Sequence, residues 1–289
     1  MSKKQHTALS ILSTSFITMI NHPVIIFPFV LIAFFELFSL EIIYFIPRWP
    51  LSIIFAPVIR AIWSEQALHY PFNFPVIYNI FYAAQIIIYV FLGGYLTAVS
   101  SATIYHINEN KPTGLRIMLK KAGRQYINIF CVALLLIVIY FLIREGYGLF
   151  IKKFALGKIG SSIRIIRGIK KVLVLTNQYA VFLFTVIAET MLAYCIPILI
   201  VENKKLFAAI KENFIFLKKT FFATFIFVLA PSLLLLPLIY ANGKALILMD
   251  KVFPEVIIML IAGGIIFSLF INAFIITVLT SFYLLKRKT

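Results

Sequence analysis

Six long apolar segments constrain this chain more than any other feature of its sequence. They cover residues 24–46, 76–105, 127–143, 180–201, 221–240 and 256–285. A helix needs about 20 apolar residues to cross about 30 Å of hydrocarbon. Backbone amides must be satisfied within lipid, so the segments should be helical. We therefore predict an all-α fold: a polytopic transmembrane helical bundle of about six spans, forming a single membrane domain over residues 1–289.

The composition agrees with a membrane environment. Apolar residues make up 62% of the chain and charged residues only 13%. The formal net charge is +17, and all 27 Lys and Arg residues lie outside the six segments. Basic side chains at helix ends are attracted to anionic headgroups, so we expect membrane lipids as partners. Nucleic acid is not expected as a partner, because the charge is scattered over several connections without a recognisable binding module.

The distribution of basic residues predicts the orientation of the chain. Cytoplasmic connections carry an excess of Lys and Arg. With both termini in the cytoplasm, 15 basic residues lie inside and 12 outside. The connection 144–171 causes the narrow margin, because without it only four lie outside. We predict a multi-pass cell-membrane protein with cytoplasmic N- and C-termini, and leave open whether a span near that connection is misplaced.

Three connections contain amphipathic basic stretches that favour helices lying in the membrane interface. Before the fifth span, Phe207, Ile210, Phe214 and Leu217 form an apolar stripe. Before the third span, Leu115, Met118, Leu119 and Ala122 do the same. The candidate lipid-headgroup contacts are Arg116, Lys120, Lys121, Arg124, Arg164, Arg167, Lys171, Lys204, Lys211 and Lys218. The alternative for the first two stretches is a helix that only orients the next span. The third stretch lies in residues 144–171, and its alternative is a solvated surface element.

Two carboxyl groups fall near the middle of predicted spans. Glu36 lies in the first span and Glu189 in the fourth. An acidic group at the bilayer centre costs roughly 2.5–3.5 kcal/mol on insertion scales, so it normally faces protein or water. With no basic residue in the spans, a protonated or hydrogen-bonded carboxyl is the simplest state. Gln85 and Asn272 complete the candidate intramembrane polar site, with Ser100, Ser101, Tyr82 and Tyr194 as further possible partners. The alternative is a purely structural hydrogen bond between helices.

Several predicted spans contain prolines or pairs of glycines. Pro197 follows Glu189 by eight residues, and Pro231 and Pro237 interrupt the fifth span. The pairs Gly93-Gly94 and Gly263-Gly264 lie in the long second and sixth spans. Prolines kink helices and glycines permit close helix contact. We expect these positions to shape packing rather than to act as gating hinges.

Motifs for catalysis and cofactor binding are missing from the sequence. It contains no P-loop, H-E-x-x-H, C-x-x-C or G-x-S-x-G pattern. The four histidines lack ligand spacing, and Cys131 and Cys195 fall in apolar segments where a thiol acts as a small hydrophobe. We expect no cofactor, no metal site and no enzymatic activity.

Two stretches resemble a known kind of membrane protein. One is YCIPILIVENKKLFAAIKENFIFLKKTFF, residues 194–222, in which a Pro-containing span, a Glu and an amphipathic helix lead into the next span. The other is SFITMINHPVIIFPFVLIAFF, residues 15–35. The pattern resembles uncharacterised prokaryotic six-helix membrane proteins and the membrane domain of some glycerophosphodiester phosphodiesterases. The resemblance implies a six-helix architecture and no activity, because the soluble catalytic domain has no counterpart in this sequence.

Three functional hypotheses follow, of which the third is an intramembrane lipid-processing enzyme that no recognised motif supports. The first is a non-catalytic membrane component that organises lipid or a membrane protein partner, which accounts for the segregated charge and the missing motifs. The second is a small-molecule or lipid transporter in which Glu189 and Glu36 line the pathway. A site shared by the two carboxyls would favour the second hypothesis.

Overall fold

A computed structural model describes residues 7–155, 170, 172–174 and 176–287. Within these residues the protein is all-α, with helices in the following order. They are α1 (Ala8–Asn21), α2 (Phe27–Tyr44), α3 (Leu51–Trp63), α4 (Asn73–Ile88), α5 (Gly94–Asn108), α6 (Leu115–Gly123), α7 (Tyr126–Phe150), α8 (Asn177–Met191), α9 (Cys195–Glu202), α10 (Leu206–Ser232), α11 (Leu236–Gly243), α12 (Ala245–Lys251) and α13 (Val256–Arg287).

Among the described residues, six helical segments are long and apolar enough to cross a membrane, which confirms the predicted fold class. They are span 1 (Phe27–Tyr44), span 2 (Asn73–Asn108), span 3 (Tyr126–Phe154), span 4 (Asn177–Glu202), span 5 (Leu206–Gly243) and span 6 (Val256–Arg287). Each overlaps one predicted segment. The chain is therefore a multi-pass membrane protein.

Span 3 is longer than the predicted 127–143. Helix α7 continues past Arg144, and a π-helical turn follows it at Ile151–Ala155. The Arg144 guanidinium lies 5.0 Å from the ring centroid of Tyr82 in span 2. A cation–π contact and a long aliphatic stem let an arginine occupy the end of a span. The expectation that the spans contain no basic residue is therefore wrong for this helix.

The amphipathic segment before span 5 is not a separate helix. Helix α10 runs without a break from Leu206 to Ser232. Its inward face carries Ala209, Asn213 and Leu217, whereas Phe207 is 83% exposed and Phe214 is also exposed. The predicted apolar stripe therefore matches the buried face only in part: Leu217 is buried and Ile210 is half-buried, whereas the periodicity did not indicate Ala209 and Asn213.

A short helix, α6, is present where the sequence predicts one before span 3. Met118 and Ala122 are fully buried and the side chains of Arg116, Lys120 and Arg124 are exposed. The Tyr95 hydroxyl donates a hydrogen bond of 3.0 Å to the carbonyl of Leu119. Helix α6 is therefore docked on the bundle by its apolar face and presents its cations outward.

The first and the last helix of the described residues meet at one end of the bundle. Ala8 near the start of the chain and Lys286 near its end line one groove. The connection between spans 4 and 5 is at this end as well, because Glu202 contacts Arg287. An even number of spans requires this arrangement. Of the candidate headgroup contacts, Arg164, Arg167 and Lys171 lie outside the described residues.

Candidate functional site

A cavity of about 240 Å³ lies at the centre of the bundle. Every one of the six spans contributes to its wall, for example through Ala33, Thr97, Val132, Ile196, Val228 and Leu279. Its polar lining side chains are Glu36, Tyr89, Thr97, Glu189, Ser268 and Asn272. Two carboxyls that are far apart in the sequence therefore meet at one largely apolar cavity.

Glu36 is held at the cavity wall by span 2. Its side chain is buried, with 7% of the residue exposed. Gln85 Nε2 donates a hydrogen bond of 3.1 Å to Oε1 of Glu36. The sequence placed Glu36 and Gln85 in one candidate site, and the structure brings them into direct contact.

Glu189 is the more accessible carboxyl. It lies in the last turn of α8 and is exposed where it lines the cavity, as is Asn272. Tyr89 is close enough to interact electrostatically with Glu189. Among the described residues no side chain forms a hydrogen bond or ion pair with the Glu189 carboxyl. The Glu189 carboxyl is therefore an unpaired acidic group of the cavity wall.

Span 4 is broken beside the cavity. Helix α8 ends at Met191 and α9 begins at Cys195. Pro197 explains the break, because its ring would clash with the carbonyl of Ala193 in a continuous helix. Non-helical backbone at membrane depth is tolerated only where protein or a water-filled cavity satisfies it.

Asn213 of span 5 satisfies the broken backbone. Its Oδ1 accepts a hydrogen bond of 3.0 Å from the amide of Tyr194, and its Nδ2 donates one of 2.7 Å to the carbonyl of Met191. Asn213 is fully buried. Sequence reasoning did not find it, although a lone Asn inside an apolar helix face was a usable signal.

Span 2 also departs from regular α-helix next to the cavity. A π-helical turn covers Tyr89–Gly93, and such turns often occur at functional sites. A Cβ atom on Gly94 would lie only 3.1 Å from the Cβ of Ala133 and 3.3 Å from Cγ2 of Ile129. Gly94 therefore allows spans 2 and 3 to pack closely just after the turn that presents Tyr89.

A second cavity of about 240 Å³ adjoins the first on the side away from the termini. Ile265 and Ser268 line both. The second cavity also borders Gln85 and reaches Asn242, near the end of span 5. The two cavities together therefore extend from the centre of the bundle toward the end opposite the termini.

Aromatic side chains fill the bundle between the central cavity and the termini. Tyr194 packs with Phe216, Phe282 and Tyr283, at centroid distances between 4.6 and 6.5 Å. The Tyr194 hydroxyl and Thr224 Oγ1 are 2.7 Å apart. None of these four aromatic residues lines the central cavity.

Ion pairs lie just beyond the aromatic cluster. Glu202 accepts a hydrogen bond of 2.5 Å from the Tyr283 hydroxyl, and its Oε2 lies 2.5 Å from Nζ of Lys204. Arg287 Nε is 3.4 Å from Oε1 of Glu202, and Lys204 also pairs with Glu212. Hydrogen bonds to Glu202 and Glu212 raise the pKa of Lys204 above its usual value. Of the candidate lipid-headgroup contacts, Lys204 therefore pairs with carboxylates of its own chain. The other two candidates in this part of the chain, Lys211 and Lys218, are exposed on α10.

The other proposed polar partners lie away from the cavity. Ser100 donates to the carbonyl of Ile25 at 3.0 Å, and Ser101 lies 3.1 Å from Thr280. These are interhelical hydrogen bonds that stabilise the bundle. Sequence reasoning missed Tyr89, Thr97 and Ser268, although Ser268 precedes Asn272 by one helical turn and the spacing could have indicated it.

No group of three or more metal-ligating side chains occurs among the described residues. The cavity chemistry is therefore that of carboxyl, amide, hydroxyl and phenol groups against apolar walls. Comparison with known proteins gives no family assignment: no family model, curated protein or solved structure matches this chain.

Proposed function

We propose that this protein is a membrane transporter whose central cavity binds a small cationic or amine-bearing solute. One observation carries the proposal: Glu36 and Glu189, from spans 1 and 4, line the same cavity at the centre of all six spans. A carboxylate in such a low-dielectric site attracts a cation far more strongly than it does in water. Ionisable groups inside membranes typically mark substrate or ion pathways.

The broken span 4 supports the same function. Glu189 is two residues from the C-terminal end of α8, where the helix dipole is negative and favours cations. Transporters often build solute and ion sites from discontinuous helices near the bilayer midplane. Glu189, accessible and without a hydrogen-bond partner among the described residues, is suited to bind the solute. Glu36, held by Gln85, is suited to be a second charge or a proton acceptor.

Transport can be tested with purified protein in liposomes and a panel of radiolabelled small cations, beginning with methylammonium, ethanolammonium and choline. We expect at least one to accumulate faster than in empty liposomes. Loss of one favourable charge interaction of about 1.4 kcal/mol weakens binding tenfold, so Glu189→Gln should lower uptake at low solute concentration by about that factor or more. Glu145→Gln is the matched control, because Glu145 is an exposed carboxyl outside the cavity. Unchanged uptake in the Glu36→Gln, Glu189→Gln double variant would overturn the proposal.

The second candidate function is a non-catalytic membrane component that organises lipid or a protein partner. It is favoured by the basic face of α6, which presents exposed cations at the end of the bundle where the termini lie. This candidate does not require the two carboxyls. Absence of uptake for every cation in the panel, with the protein folded, would favour it over transport.

The proposed membrane is the cell membrane, with both termini in the cytoplasm. The excess of basic residues at the end that holds the termini supports this orientation. Cysteine labelling tests it in a variant without Cys131 and Cys195. A cysteine at Gln66 should react with a membrane-impermeant maleimide added outside intact cells, and one at Lys205 should react only after permeabilisation. The reverse pattern would overturn the orientation.

A further inference from the structure

A groove of about 950 Å³ lies beside α6, separate from the central cavity. Four cationic side chains line it: Arg116, Lys120, Lys121 and Arg124. The opposite wall comes from the end of span 4, through Ile200, Val201 and Asn203. The described residues that line this groove include no carboxylate, so the four positive charges are not neutralised from within its wall.

The position of α6 is fixed, so these charges are not a mobile surface patch. Met118 and Ala122 are fully buried beneath it. The Tyr105 ring lies under Lys121, with Nζ 3.9 Å from the ring centroid. Burial, together with the nearby charge of Lys111, lowers the pKa of Lys121 to about 8. The cations are held close together at an electrostatic cost that a bound anion would offset.

Asn203 contributes a polar group to the opposite wall. It adopts a left-handed conformation, with φ of 53°, in the short connection between α9 and α10. Its Oδ1 accepts a hydrogen bond of 2.6 Å from Gln125 Nε2. Because Oδ1 is used in this bond, the Nδ2 group is the part of the amide that can donate to a ligand in the groove.

The groove lies where a lipid headgroup would be. Span 3 begins at Tyr126, only two residues after Arg124, so the cations are at the level where the chain enters the membrane. Ile127, which follows, is 76% exposed. The groove itself has apolar walls at Ile117, Leu119 and Val201. Cations above apolar surface match a phosphate headgroup above acyl chains.

We propose that the groove between α6 and the end of span 4 is a specific binding site for the phosphate headgroup of an anionic phospholipid. Arg116, Lys120 and Arg124 contact the phosphate oxygens, with Lys121 beneath them and the Asn203 amide donating from the opposite side. The apolar walls hold the first carbons of an acyl chain. The proposal does not depend on the transport function, since no residue of this groove lines the central cavity.

Native mass spectrometry of the full-length protein with phosphatidylglycerol or phosphatidylcholine tests the site. We expect retained phosphatidylglycerol and little phosphatidylcholine. A basic residue near an anionic surface contributes about 1 kcal/mol, so each neutralising substitution should weaken phosphatidylglycerol binding about fivefold. The test variants are Lys120→Gln and the Lys120→Gln, Arg124→Gln pair. The controls are Lys244→Gln and Lys251→Gln, which remove exposed lysines that do not line the groove and are not among the candidate headgroup contacts.

Three outcomes would overturn the proposal. One is equal phosphatidylglycerol binding by the groove variants and the wild type. Another is an equal loss in the control variants, which would indicate only a general attraction to positive charge. The third is complete displacement of the lipid by millimolar inorganic phosphate, which would indicate a site for soluble phosphate compounds. Lys120 is exposed, so the single variant should fold, and an unchanged melting temperature checks this.

Discussion

The Oδ1 atom of Asn213 accepts a hydrogen bond of 3.0 Å from the backbone amide of Tyr194, at the break between α8 and α9. This bond joins span 5 to the one position in span 4 where the helix cannot satisfy its own backbone. The same side chain donates to the carbonyl of Met191. Asn213 therefore stabilises the broken helix that carries Glu189.

Replacement of Asn213 should destabilise the protein. Asn213→Ala removes the partner of the buried Tyr194 amide and of the Met191 carbonyl, and a buried polar group without a partner costs about 1–3 kcal/mol. Titration of the purified protein from mild detergent into SDS measures the loss. Lys211→Ala, at an exposed position two residues earlier, is the control, and equal stability of Asn213→Ala and this control would contradict the assigned role.

The hydrogen bond between Tyr283 and Glu202 should couple spans 4 and 6 energetically. The Tyr283 hydroxyl donates to the Glu202 carboxylate at 2.5 Å. Hydrogen bonds to charged groups contribute about 1.5–3 kcal/mol. A double-mutant cycle with Glu202→Gln and Tyr283→Phe should therefore give a coupling energy of about 1 kcal/mol or more. The cycle of Glu202→Gln with Tyr240→Phe, an exposed tyrosine at another position, should be additive, and additivity in both cycles would contradict the coupling.

Hydrophobic length alone predicted the number of spans, but not every helix boundary. The sequence between Lys218 and Phe221 contains no helix-breaking residue, so an interfacial helix and a continuous span 5 have the same local pattern there. Only packing against the bundle distinguishes them. Span 3 was predicted too short for a related reason: Arg144 ended the apolar run, whereas its contact with the Tyr82 ring depends on a neighbouring helix.

The sequence predicted the acidic residues of the cavity but not how the spans pack to form it. The cost of burying Glu36 and Glu189 indicated inward faces, and the structure places both at one cavity. The partnership of Gln85 with Glu36 was among the sequence-based candidates. The role of Asn213 was not, because it depends on a break in span 4 whose open backbone groups become known only when spans 4 and 5 are packed together. Transport, the second of the hypotheses drawn from the sequence, remains a proposal, as does the first, a non-catalytic membrane component.

Gly94 should be far less tolerant of substitution than Gly263. A Cβ on Gly94 meets span 3 at 3.1 Å, whereas a Cβ on Gly263 meets no atom within 4 Å. Gly94→Val should therefore destabilise the protein by about 1–3 kcal/mol through overpacking. Gly263→Val should change stability by less than about 1 kcal/mol, since valine replaces a poor helix former. SDS titration measures both variants, and equal effects would show that the close contact of spans 2 and 3 does not constrain residue size.

Lys121 should be neutral at a lower pH than an ordinary lysine. Burial, and then the charge of Lys111, lowers its pKa to about 8. Since amine acylation requires the neutral form, its labelling rate should reach half of its maximum near pH 8. The folded protein then binds fewer protons than the unfolded chain between about pH 8 and the usual lysine value, so this group adds stability as the pH rises through that range. Peptide mass spectrometry after brief acylation at several pH values measures the titration of Lys121. Lys111→Gln removes the like charge and should move the midpoint upward, and a midpoint near the ordinary lysine value in the wild type would contradict the buried environment assigned to this side chain.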